Sequence, residues 1–142
     1  MGYAKEFNHL EYQVPEFLLK DSDWEDVSWH NDVCPRWENK KIGLAVWVDC
    51  NEPECREYED WKQYTVVEIE GQSDGTTVLK DDSLFSTEVQ AHLEEWITLY
   101  ETKMHIESAF TCAGKTMSEE GHDIADQLAL LLAETQEVMN EL

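Results

Sequence analysis

Ile42-Gly43-Leu44-Ala45-Val46-Trp47-Val48-Asp49 is the stretch on which the fold turns. Ile42, Leu44, Val46 and Val48 alternate with Gly43, Ala45, Trp47 and Asp49, the period of a β-strand. Both sets are largely apolar, so the strand is expected to be central, with each face covered. Asn51-Glu52-Pro53-Glu54 reads as a turn. Gln63 to Glu70 is a second strand, with Tyr64 and Val66 opposite Thr65, Val67 and Ile69. Gly71-Gln72-Ser73-Asp74-Gly75 supplies two glycines for a hairpin connection, and Thr76 to Lys80 is a third strand. Short links make these strands an antiparallel meander over residues 41–82.

Upstream, residues 1–40 read as largely irregular and rich in tryptophan. Tyr12-Gln13-Val14 is a short strand that Pro15 limits. Asp21 or Ser22 caps a turn carrying Trp24 and Val27. Trp24, Trp29 and Trp37 are expected to cover the sheet edge. Downstream, over residues 86–142, the period lengthens. Ser86 or Thr87 is an N-cap, and Val89, Leu93, Trp96, Tyr100 and Met104 form one helical stripe. Gly114 ends that helix, and Ser118 caps a second, with Glu119, Glu120 and Asp123 near its positive end. Ile124, Leu128, Leu131, Leu132, Val138 and Met139 form its apolar face, and Leu130 lies off that stripe.

The resulting expectation is a single α+β domain over residues 1–142. A three- or four-stranded antiparallel sheet comes first, and a helical hairpin follows, packed on one face. Val46, Trp47, Val67 and Ile69 belong to the sheet core. Leu93, Trp96, Tyr100, Leu128 and Leu131 seal it. The extra apolar side of the second helix points to a homodimer.

Charge narrows the function. The chain carries 32 acids against 10 lysines and arginines, a formal charge of −22 over 142 residues. Such a body repels duplex nucleic acid and anionic lipid, so neither is expected as a direct partner. No apolar run approaches the length of a membrane span, and the first residues carry no signal-peptide pattern, so a cytoplasmic location is expected. The densest acids are Asp21, Asp23, Glu25, Asp26 and Asp32 in one cluster and Asp49, Glu52, Glu54, Glu57, Glu59 and Asp60 in another. All of these except Asp32 and Asp49 are the candidate partner-binding residues. A rigid array of carboxylates complements a basic protein surface, including one that normally holds nucleic acid.

Other constellations are less complete. Ser28, His30, Asp32 and Cys34 contain nucleophile, base and orienter types, but catalytic sets are normally assembled from separate elements. Cys50 and Cys55 have a C-x4-C spacing, and Cys34 with His30 completes four zinc ligands on paper. No second close cysteine pair supports that site. Two turn cysteines and two buried ones are expected instead, with no metal. Asp21, Asp23, Glu25 and Asp32 resemble a calcium loop, but its turn glycine is replaced by Asp26. Asp81-Asp82 and Glu94-Glu95 mark no acid–base pair, and His92, His105 and His122 are isolated, His92 being placed to pair with Glu95. Gly71 and Gly75 lack the lysine of a phosphate loop, so no cofactor is expected.

The stretch Trp24–Pro35, the Ile42–Asp49 strand and the Asn51-Glu52-Pro53 turn resemble small uncharacterised proteins carried by phages, prophages and plasmids, over roughly residues 12–80. That resemblance implies no catalytic residue. It implies a role among the small acidic inhibitors that mobile elements direct at host enzymes, nucleic-acid mimics included. The expected function is therefore a non-enzymatic acidic binding protein. The alternatives are an acidic interaction domain without such a partner, and a small metal-dependent or Cys/His enzyme.

Overall fold

The computed structural model describes residues 2–114 and 119–142, with side chains described except at Phe110 and residues 112–125. Expectations resting on the side chains of Cys112, Ser118, Glu119, Glu120, His122, Asp123 and Ile124 lie outside the described residues. The order is α1 (Tyr3–Glu6), a 3-10 turn (His9–Glu11), α2 (Glu16–Lys20), β1 (Glu25–Asp26), β2 (Arg36–Asn39), β3 (Leu44–Val48), a second 3-10 turn (Pro53–Cys55), β4 (Tyr64–Gly71), β5 (Thr77–Thr87), α3 (Gln90–Gly114) and α4 (Glu119–Glu141). The class is α+β, a sheet followed by helices. The chain falls into two compact units, Met1–Leu93 and Glu94–Leu142.

The first unit holds one sheet of five antiparallel strands in the order β1-β2-β3-β4-β5, where three or four were expected. The two unforeseen strands lie in the segment read as irregular. In β2, Trp37 is followed by Glu38 and Asn39, so no apolar alternation betrays it. Both polar residues are nonetheless buried, because their side chains have partners. Glu38 accepts from Thr77 Oγ1 at 2.8 and 3.0 Å, and Asn39 Oδ1 accepts the Lys41 N–H at 3.0 Å. Tyr12–Val14 forms no strand; instead the Gln13 carbonyl accepts the Tyr64 hydroxyl at 2.8 Å.

β3 is central, but it starts at Leu44 rather than Ile42. Gly43 adopts φ +68° in the β2–β3 turn, a left-handed conformation that favours glycine. One face of the sheet presents Trp37, Leu44, Val46, Val48, Tyr64 and Val66, all almost fully buried. The N-terminal segment covers this face. The Tyr3 ring lies 5.4 Å from that of Trp37, and Phe17 packs edge-on against Trp24 at 5.7 Å. Deleting one large side chain here costs about 2–5 kcal/mol.

The opposite face carries Arg36, Ala45, Trp47, Thr65, Val67 and Ile69. Across a flat sheet, β2 and β5 stand about 14 Å apart, three strand spacings. The Thr77–Glu38 hydrogen bond therefore requires the β4–β5 ribbon to curl back over this face. Register shifts at Val66/Val67 and Val67/Ile69 allow the bend, and Leu79 closes on Ala45, Val67 and Ile69. β5 runs on to Thr87, seven residues beyond the expected end. Its middle is exposed and polar, which hid it from periodicity.

In the second unit, α3 and α4 are the two expected helices. Lys103 Nζ donates to Gln136 Oε1 at 2.6 Å, and Trp96 stacks on Tyr100 at 5.3 Å. Trp96, Ile97 and Met139 are buried. Leu131 and Val138, read as part of the buried stripe, are 46% and 42% exposed, and Leu130 is 61% exposed. Among the described residues no helix is long and apolar enough to cross a membrane. Thr87 Oγ1 accepts the Val89 N–H at 3.0 Å just before α3, the role expected of a residue there.

Candidate functional site

The segment between β3 and β4 is built around one inward-facing arginine. Its base is closed by the Asp49 N–H donating to the Gln63 carbonyl at 2.7 Å. Arg56 Nε donates to the Cys50 carbonyl at 2.8 Å, and its Nη1 donates to the Trp61 carbonyl and to Glu88 Oε1, each at 2.6 Å. Nη2 donates to Glu88 Oε2 at 3.1 Å and the Asn51 carbonyl at 3.4 Å. Only 1% of the Arg56 side chain is exposed, against 44% of Glu88. The guanidinium holds the Glu88 carboxyl below the usual carboxylate range. Gln63 completes the frame by donating to Asn51 Oδ1 at 2.8 Å.

With Arg56 turned inward, Glu52, Glu54, Glu57, Glu59 and Asp60 stay exposed. The other cluster is different. Asp23 pairs with Lys41 at 2.9 Å, and Asp21 Oδ1 accepts the Asp23 N–H at 2.9 Å. Asp26 is structural: it accepts the N–H groups of Tyr3 at 2.8 Å and Ser28 at 3.0 Å. Glu25 is exposed on β1. Lys41 lies in the turn before β3, whereas Glu52–Asp60 follow β3, so Asp23 and the second cluster lie toward opposite ends of that strand.

Beside the Arg56 frame, on the concave face of the sheet, is a cleft of about 590 Å³. Trp47, Thr65 and Val67 form its floor, Val33 and Cys34 one part of its wall, and Asp60–Gln63 another. Asp49, Asp81, Ser83 and Ser86 complete it. Trp61 is 44% exposed and packs against Tyr58 at 4.5 Å. The Arg36 guanidinium carbon lies 4.9 Å from the centroid of the Trp47 ring. Asp49 is 5% exposed. Its Oδ1 accepts the Cys50 N–H at 2.8 Å, and no ion pair engages it among the described residues. Burial pushes its carboxyl above the ordinary range, opposed by that N–H and by Arg56. Of these lining residues the sequence marks only Asp60 as a partner-binding side chain. It places Trp47 in the core, and Trp61 carries no signal beyond its aromatic neighbour Tyr58.

The catalytic constellation does not assemble. Ser28 is fully buried; its Oγ accepts the Arg36 N–H at 3.1 Å and pins β2. His30 Nδ1 lies 2.7 Å from Glu6 Oε2, and the His30 ring packs on Trp29. Of the three tryptophans expected over the sheet edge, Trp29 is 43% exposed, Trp24 is buried and Trp37 lies within β2 itself. Cys34 and Cys50 are buried, and Cys55 is exposed. Burial drives the Cys34 thiol far from ionisation, and the Cys50 thiol shifts the same way. Cys50 Sγ faces the Cys55 carbonyl at 3.5 Å. Among the described residues no three His, Cys, Asp or Glu side chains converge as metal ligands, so Cys34, Cys50, Cys55 and His30 are not brought together. The segment resembling a calcium loop instead runs through β1 at Glu25–Asp26. His92 and His105 are exposed, and no ion pair joins His92 to Glu95.

No family model, curated protein or solved structure matches the chain.

Proposed function

We propose that this is a non-enzymatic acidic binding protein that occupies a basic surface on another protein, one that ordinarily holds nucleic acid. The observation that carries this reading is the Arg56 frame. Across residues 51–60 the sole cation is turned inward, which leaves five carboxylates facing solvent on a segment fixed from behind. A fixed anionic array loses little conformational entropy on binding, and a net charge of −22 steers it toward a cationic groove. Action in the cytoplasm and carriage by a mobile element belong to the same proposal.

The test is capture of partners on the immobilised chain at about 0.3 M salt, where exposed nonspecific charge contacts are heavily screened. A retained nucleic-acid-binding protein that its own DNA or RNA displaces supports the reading. Replacement of Glu54, Glu57 and Glu59 by Gln should then slow association more than it speeds release. Retention that vanishes at this salt, or that nucleic acid does not disturb, refutes it.

A further inference from the structure

We propose that the cleft beside the Arg56 frame is a receptor for one arginine side chain of the partner. This rests on the reading above and sharpens it, because it separates a single recognition pocket from the diffuse charge around it. Three features of the cleft select a cation. Asp49, Asp60 and Asp81 line it against one ammonium, Lys62, so its side chains sum to −2. Asp49 is almost wholly buried, with one backbone N–H and the field of nearby Arg56 to stabilise its charge but no ion-pair partner among the described residues, which leaves a carboxylate that an entering cation would complete. The indole of Trp61, 44% exposed, supplies a π face that cations favour, and Trp47, already under the Arg36 guanidinium, lines the same cleft.

The surroundings of the cleft favour arginine over lysine. The chain already stacks a guanidinium on this aromatic surface: Arg36 lies over Trp47 while its Nη2 approaches Glu38 at 3.5 Å. A planar, weakly hydrated guanidinium combines stacking with a forked approach to carboxylates, whereas an ammonium is a strongly hydrated point charge. The volume, about 590 Å³, admits such a side chain with its flanking backbone. Ser83 and Ser86 add hydroxyls on the β5 side that accept remaining N–H donors.

The experiment titrates the intact chain with a blocked Gly-Gly-Arg-Gly-Gly peptide and its lysine and citrulline counterparts. Indole N–H resonances, assigned with Trp47→Phe and Trp61→Phe variants, give the readout. The arginine peptide should shift the Trp47 and Trp61 signals saturably, lysine should bind more weakly, and citrulline should leave them unmoved. Trp61→Ala and Asp81→Asn should each weaken the arginine peptide by at least about threefold, as expected for the loss of one cation–π or charge contact. Lys62→Gln should strengthen it. Glu134→Gln, an equal charge change on α4, should not matter. Equal responses to the three peptides, no response at the two indoles, or the same loss in Glu134→Gln overturns the inference. Arginine binding without any captured basic protein refutes only the function proposed above. A captured partner indifferent to both Trp61→Ala and Asp81→Asn refutes only the arginine pocket.

Discussion

Replacing Arg56 by Met removes the guanidinium but keeps most of its aliphatic stem. The structure sets the magnitude. Cys50 is 4% exposed, so its carbonyl loses a donor at 2.8 Å and gains little water in return. An orphaned buried acceptor costs about 1–3 kcal/mol. Asn51 and Trp61 are exposed, and their carbonyls rehydrate at smaller cost. Glu88, with 44% of its side chain exposed, also rehydrates, so the ion pair adds about 0.2–1 kcal/mol. The expected loss is about 2–4 kcal/mol, or a urea midpoint lower by about 1–2 M for a typical slope. Trp61, whose carbonyl Arg56 holds, should report a loosened segment through a shift of its indole N–H resonance, assigned with Trp61→Phe. Arg56→Lys should recover less than half of the loss, because one ammonium cannot span Cys50, Trp61 and both Glu88 oxygens. The pH dependence follows from Glu88. Its carboxyl is depressed in the folded state, so the stabilisation is present above the ordinary glutamate range and is lost as pH falls through the lowered folded value. Arg56→Met should remove that part of the acid-side slope. A stability within about 0.5 kcal/mol of the parent, with an unmoved Trp61 resonance, would refute the reasoning.

Gly43→Ala should cost about 1–2 kcal/mol in urea denaturation. Its cause is purely conformational: φ is +68°, and the added Cβ meets the Ile69 carbonyl at an ordinary 3.6 Å. Thr77→Val removes the donor to buried Glu38 and should cost about 1–3 kcal/mol, whereas Thr76→Val, exposed in the hairpin loop, should cost less by the same assay. Iodoacetamide followed by peptide mapping should label exposed Cys55 well before Cys34, whose thiol burial keeps protonated; equal rates would contradict the burial described. We also propose self-association through the exposed Leu130, Leu131 and Val138 side chains of α4, rising with salt as repulsion is screened. A monomer at every salt concentration in sedimentation equilibrium rules that out.

The sheet was legible wherever apolar alternation carried it. Val46 and Val48 announce β3, and the glycines of 71–75 announce the hairpin. It failed where strands are held by polar pairs: Glu38 satisfied by Thr77 and Arg36, and Ser28 clamped to Arg36, look like loop residues without their partners. The far half of β5 failed for the opposite reason, since Asp81, Asp82 and Ser83 are exposed and impose no period. The acidic segment after β3 was visible as charge. Its organiser was not, because an arginine among glutamates reads as a surface neutraliser until Glu88, 32 residues away, is seen to pair with it. The cleft draws on residues from Val33 to Ser86, and no local pattern foretells so scattered a set.

β5 is the outermost strand of its sheet, 11 residues long, and among the described residues no other strand pairs with its far side. Val78 and Leu84 on it are 50% and 41% exposed. A long edge of this kind is a template for strand addition by another chain. Asp81 and Asp82 stand between those apolar residues as gatekeepers, and repulsion between whole molecules reinforces them. A charge of −22 opposes such contact between molecules, independent of any ligand. That protection is conditional, since near the isoelectric point of about 4.3 the global repulsion vanishes. The same edge then becomes the natural starting point of sheet-to-sheet growth, which ties the working range of this protein to the ionisation of its surface.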